Sequence, residues 1–229
     1  MTSPPAIERD ADARSAAHAA GAAIATALAE GIAAHGRASF AGAGGRTPGE
    51  TYAWLSTADL AWDKVTVTLT DERWVDPDSP QSNEALLRDT LLQDRAAAAR
   101  LLPLWSMAPS PEIAADLAGP LLLHELPFDA VLLGMGEDGH FASLFPGSPA
   151  LAEGLDLDSD RLLVAAPEAQ PMPPQPRLSL TLAALIQTRL LILLVTGAAK
   201  LEVLQAPAGK PISALLAQTD TPVRILWAP

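Results

Sequence analysis

Short aliphatic runs alternate with helical stretches along almost the whole chain, and that alternation leaves few folds open. Lys64–Thr70 (KVTVTLT) is β-branched and alternating, while Phe128–Leu133 and Arg189–Thr196 are almost wholly apolar. Each reads as a strand, as do Arg37–Ala41, Leu101–Ser106, Arg161–Ala166 and Val223–Trp227. Between them, residues 48–55, 82–93, 111–125, 197–205 and 211–218 read as helices, and Leu178–Leu185 as a strand end turning into one. Strand and helix in alternation predict an α/β fold built on a wound sheet. No repeat and no interdomain linker interrupts the 229 residues, so residues 1–229 are expected to form one domain.

Composition narrows the function. Hydrophobic residues make up 49% of the chain, enough for a sizeable core, and with few aromatics the packing must rest on aliphatic side chains and alanine. A formal net charge of −12 argues against sequence-independent nucleic-acid binding and against anionic membrane surfaces, both of which need Lys and Arg. The absence of cysteine excludes disulfides and thiolate chemistry and fits a reducing compartment. Residues 15–34 are alanine-rich, but His18 and Glu30 interrupt them and Glu8, Asp10 and Asp12 precede them. That pattern predicts an amphipathic first helix rather than a signal segment, and Leu190–Val195 is too short to span a bilayer. A cytoplasmic protein is expected.

In a wound sheet, ligands collect beyond the carboxyl ends of the strands. Four marked turns fall there: Gly42–Thr47, Asp71–Arg73, Gly134–His140 and Gly197–Lys200. Any one of them is ordinary turn punctuation, but four on one edge indicate a site. The longest, GMGEDGHFASLFPGSP at Gly134–Pro149, sets His140 behind a glycine turn. Imidazole titrates near ~6.5 in peptides, which makes it a competent base at neutral pH. Gly134, Gly136 and Gly139 also spell a dinucleotide fingerprint. Against that reading, Glu137 and Asp138 would repel a pyrophosphate, Pro146 leaves room for only a short helix, and the turn lies mid-chain.

The basic residues suggest an anion. Gly44-Gly45-Arg46-Thr47 opens a helix, with Thr47 as N-cap and Pro48 in the first turn, and its N–H groups suit a phosphate. Arg73, just past a strand end, either grips a phosphate or pairs with Asp71 or Glu72. Lys200 opens a helix, where a cation is disfavoured unless an anion meets it. Arg177 follows the stiff Pro167–Pro176 connection and is either a ligand group or a solvated arginine. No metal is expected: there is no cysteine and no pair of histidines at ligand spacing. Neither a G-x-S-x-G elbow nor a Walker loop is present, and His18, His35 and His124 have no comparable setting.

Taken together, GGRTP at Gly44–Pro48, DERWV at Asp71–Val75, Ser82-Asn83, the Gly134–Pro149 run, RLSLT at Arg177–Thr181 and GAAK at Gly197–Lys200 resemble the 6-phosphogluconolactonase family over roughly residues 37–227. The resemblance implies a three-layer α/β/α fold with a mostly parallel sheet, like glucosamine-6-phosphate deaminase and ribose-5-phosphate isomerase. It implies cofactor-free hydrolysis of a phosphosugar lactone, with His140 as base, Asp71 as a second catalytic carboxylate supporting it, and Gly44, Gly45, Arg46, Thr47, Arg73, Asn83, Arg177 and Lys200 holding the substrate. Deaminases on this fold continue past the D-G-H turn into a segment with a functional Glu, where this chain has Ala142–Pro146. Two departures from the lactonase pattern stand out. Gly42-Ala43 occupies the place where the family usually has a serine before the glycine pair, and the chain ends at Trp227-Ala228-Pro229, where relatives typically continue. A monomer or weak homodimer is expected, with no nucleic-acid or membrane partner.

Overall fold

A computed structural model describes residues 5–166 and 175–229. In chain order the elements are β1 (Ile7–Arg9), α1 (Ala13–His35), β2 (Ala38–Gly42), α2 (Gly49–Ser56), β3 (Val65–Leu69), β4 (Asp71–Arg73), α3 (Asn83–Thr90), β5 (Arg100–Leu101) and α4 (Pro111–Leu123). They continue with β6 (Ala130–Leu133), α5 (Leu151–Leu155), β7 (Leu163–Ala166), β8 (Arg177–Leu180), α6 (Leu182–Leu185), β9 (Leu191–Thr196), α7 (Ala198–Gln205), α8 (Ile212–Ala217) and β10 (Val223–Ala228). Seven strands, paired parallel throughout, form the central sheet in the order β1-β10-β9-β6-β2-β3-β5, with helices on both sides. Every residue of β2, β3 and β6 is buried; β6 accordingly reads as a continuous apolar run, while β3 alternates Val with Thr although both of its faces are covered.

Helix α1 begins at Asp12, whose carboxylate accepts the Ser15 N–H at 2.7 Å, and ends at Gly36, whose left-handed backbone (φ 74°) lets its N–H close on Ile32 O. Ala16, Ala20, Ile24 and Leu28, four residues apart, make a fully buried stripe against β2, β9 and β10. The helix is long and apolar enough to cross a membrane, but this stripe belongs to the hydrophobic core.

Several boundaries differ from expectation for local reasons. The Leu101–Ser106 strand shrinks to Arg100–Leu101, because Pro103 has no N–H to extend the ladder. Pro48, not Thr47, occupies the cap position of α2, and no side chain closes its first turn. β1 has no counterpart among the sequence-read strands. The largest difference is at Asp71–Arg73, which is a strand and not a turn. Thr70 still donates to Gly42 O in the central sheet (2.9 Å), while its carbonyl accepts Leu180 N–H (2.9 Å). At that residue the chain changes partners and enters a second, antiparallel sheet, β4-β8-β7. This sheet absorbs the Arg161–Ala166 strand. Most of the Pro167–Pro176 connection lies outside the described residues.

Candidate active site

All four marked turns meet in one cleft of about 290 Å³ beside the carboxyl ends of β2, β3, β6 and β9. Gly44, Gly45, Arg46 and Thr47 follow β2, Asp71 and Arg73 lie on β4, and Asn83 starts α3. His140 follows β6, Arg177 opens β8 and Lys200 is in the first turn of α7. Every residue singled out from the sequence therefore lines this cleft.

The turn that carries His140 is closed by its own backbone: Gly139 donates to Gly136 O (3.0 Å) and Gly136 to His140 O (2.9 Å). Gly139 sits at φ 82°, a conformation open to glycine at little cost. Gly136 is required for space, since a Cβ there would overlap the imidazole of His140 and the carboxylate of Asp138. Asp138 Oδ1 lies 2.5 Å from His140 Nδ1 and also accepts the His140 N–H at 3.1 Å. On its other flank the imidazole packs on Phe145, with ring centroids 4.1 Å apart. The ring is thus held by two neighbours while remaining 27% exposed at the cleft.

Asp71 does not take the supporting role expected of it. Its carboxylate accepts the Ser143 hydroxyl at 2.5 Å and faces Arg177 Nη1 at 3.9 Å, whereas Asp138 is the carboxylate against His140. Ser143 is itself fixed, because its N–H donates to Ser179 Oγ at 3.1 Å. The turn after His140 is therefore bolted to β8 and to Asp71 on β4.

The cations are held in different ways. Arg177 is nearly buried, with its Cζ 5.2 Å from the Phe145 ring centre. Burial pushes its ionisation down and the Asp71 carboxylate pushes it back up. Burial also lowers Lys200, opposed by Glu137 and reinforced by Arg46. Arg46 itself is exposed on a loop turned by Gly45 (φ 88°). Arg73 Nη1 donates to Gln81 O (2.8 Å) and to Asn83 Oδ1, which fixes one edge of the guanidinium. Asn83 turns the other end of its amide to Asp71 O, 2.8 Å from Nδ2.

Four neighbours were not singled out from the sequence. Asp138 counted there only as a charge hostile to pyrophosphate, although an acid two residues before a histidine, with glycine between, is a local pairing signal. Ser143 and Phe145 occupy the same run without a distinguishing pattern. Glu72, 1% exposed, accepts the N–H groups of Arg73, Asn83 and Glu84 at 2.7 Å each and the Ser82 hydroxyl at 3.0 Å. Burial pushes its carboxyl up, and these donors hold it down.

Known proteins share this arrangement of chain. A family model described as glucosamine-6-phosphate isomerases/6-phosphogluconolactonase matches residues 11–227. The 6-phosphogluconolactonase of Caulobacter vibrioides is 50% identical over 204 residues, 88% of each chain. That of Rhizobium meliloti is 44% identical over 209 residues, 88% of this chain and 89% of its own. The crystal structure of a 6-phosphogluconolactonase from Shewanella baltica superposes with a TM-score of 0.92, at 35% identity and 100% coverage of both chains. On fold, on the order of its motifs and on these similarities, the chain belongs to the glucosamine-6-phosphate isomerase/6-phosphogluconolactonase family.

Proposed function

We propose that this protein hydrolyses 6-phospho-D-glucono-1,5-lactone to 6-phospho-D-gluconate, the second step of the oxidative pentose phosphate pathway. The observation that carries the reading is a carboxylate-paired histidine opening on the same cleft as Arg46, Arg73, Arg177 and Lys200. With Nδ1 donating to Asp138, Nε2 is the basic nitrogen. It takes a proton from water as the oxygen attacks C1, and Asp138 balances the charge gained by the ring. The oxyanion at C1 is met by an arginine or by backbone N–H groups at the cleft wall. As the C1–O5 bond breaks, the imidazolium returns its proton to O5, leaving the open-chain acid. The phosphate, held by Lys200, Arg73 and the Gly44–Thr47 loop, converts remote binding energy into alignment of C1. Asp71, fixed by Ser143 and Arg177, takes a place among the catalytic groups of the cleft without supporting His140.

A deaminase reading is disfavoured by Ala142–Pro146, which supply no carboxylate after the histidine, and the closely similar relatives above are named as lactonases. The enzyme works in the cytoplasm, a reading that a cysteine-free chain supports. The test is lactone disappearance measured beside the spontaneous rate. Acceleration supports the reading. Binding of 6-phosphogluconate with no acceleration would turn it into that of a phosphosugar sensor.

A further inference from the structure

Two anion-facing elements of the cleft, the Gly44–Thr47 loop and Arg73, come from different strands, and one side chain touches both. Asn83 Oδ1 accepts from Arg73, its Nδ2 donates to Asp71 O at 2.8 Å, and its amide lies so close to Gly44 that any Cβ there would overlap it. Asn83 is 1% exposed, and both polar atoms of its amide already have protein partners. That is a poor arrangement for gripping substrate and a good one for holding other groups.

We infer that Asn83 is a positioning residue that sets the Arg73 guanidinium against the Gly44 loop, with Glu72 as its anchor. The inference rests on the proposed phosphosugar reading, in which that pair of elements receives the phosphate. Glu72 Oε1 takes the N–H groups of both Arg73 and Asn83, residues on different elements, at 2.7 Å each. Its Oε2 takes Glu84 N–H and the Ser82 hydroxyl, which fills the amino end of α3 with a carboxylate. That helix end is therefore closed to a substrate anion, and on this side of the cleft anion binding falls to the Gly44–Thr47 loop and the arginine that Asn83 aims. In this light Gly44 is glycine to make room for Asn83, whereas the ordinary explanation would be close approach of a ligand to the backbone.

A double-mutant cycle separates the two explanations. Gly44→Ala and Asn83→Ala are each expected to raise KM about tenfold or more, with kcat within about threefold of wild type, because His140 and Asp138 sit on another turn. In the Asn83→Ala background, Gly44→Ala should add less than about twofold, since the new methyl enters space already vacated. Asn83→Asp, which keeps the acceptor for Arg73 and loses the donor to Asp71 O, should fall between wild type and Asn83→Ala. Equal cost of Gly44→Ala in both backgrounds would overturn the inference, as would a loss confined to kcat. Circular dichroism screens each variant for folding; Asn83→Ser replaces an Asn83 variant that fails, and a Gly44→Ala chain that folds only in the Asn83→Ala background is itself the expected coupling. Running the same cycle on inorganic phosphate affinity reads positioning without chemistry. A wild type that binds phosphate but leaves the lactone untouched would thus sink the lactonase reading while the cycle still judges Asn83.

Discussion

His140 and Asp138 lie two residues apart with Oδ1 2.5 Å from Nδ1, and under the proposed mechanism that contact leaves Nε2 as the reactive nitrogen. If Nε2 is the base, His140→Ala lowers kcat by roughly 10²- to 10⁴-fold and changes KM far less. Asp138→Asn keeps the side chain's shape but removes the charge that offsets the imidazolium, so kcat should fall at least about tenfold. Steady-state rates, corrected for spontaneous hydrolysis, check both. Full kcat in Asp138→Asn would reduce the contact to a turn-stabilising bond. The residues of this site were largely legible in the sequence because strand ends followed by glycine or by a cation are local patterns. The pairing of carboxylate with histidine was not. The family resemblance gives Asp71 the second catalytic role, while its own partners, Ser143 and Arg177, are 72 and 106 positions away and depend on the meeting of two sheets.

At the scale of elements, the glycine turn after β6 and the amino end of α3 do different work. A methyl on Gly136 has nowhere to go except into the His140 ring, so Gly136→Ala should lower kcat while leaving the thermal midpoint close to wild type. Glu72→Gln should do the reverse. It exchanges a carboxylate with four donors for an amide that brings two donors of its own, costing about 1–3 kcal/mol in urea unfolding. β6 and β9 were readable because burial on both faces shows as contiguous aliphatic residues, and β3 because its β-branched residues alternate. β1, β4 and β5, two or three residues each, are too short to display any period, and only their partners make them strands. β4 was the costliest to miss: DER reads as a polar turn, yet Glu72 points into the protein to cap α3.

Over the whole molecule, a chain of net charge −12 places four cations, Arg46, Arg73, Arg177 and Lys200, at the cleft. Burial depresses Lys200 below the ordinary lysine range, so it loses its proton at lower pH than an exposed lysine would. The protonated form is the one that attracts the phosphate, so affinity for 6-phosphogluconate should weaken as pH rises toward that lowered value. Lys200→Arg, charged throughout this range, should abolish that alkaline limb, which calorimetric titration across pH would show. The antiparallel register of the small sheet adds a further consequence. It sets Arg73 directly opposite Arg177, and like charges in that relation repel. At Arg177 the Asp71 carboxylate outweighs this repulsion and Glu72 adds to it, so the pair is held by carboxylates on one side only. A bound phosphate would be a further counter-ion for the β4-β8 pair, coupling occupancy to conformational stability. At a hundredfold excess over Kd, mass action alone raises stability by about 2.7 kcal/mol. The cell's supply of phosphosugar would thereby help to determine how long each copy of this enzyme stays folded.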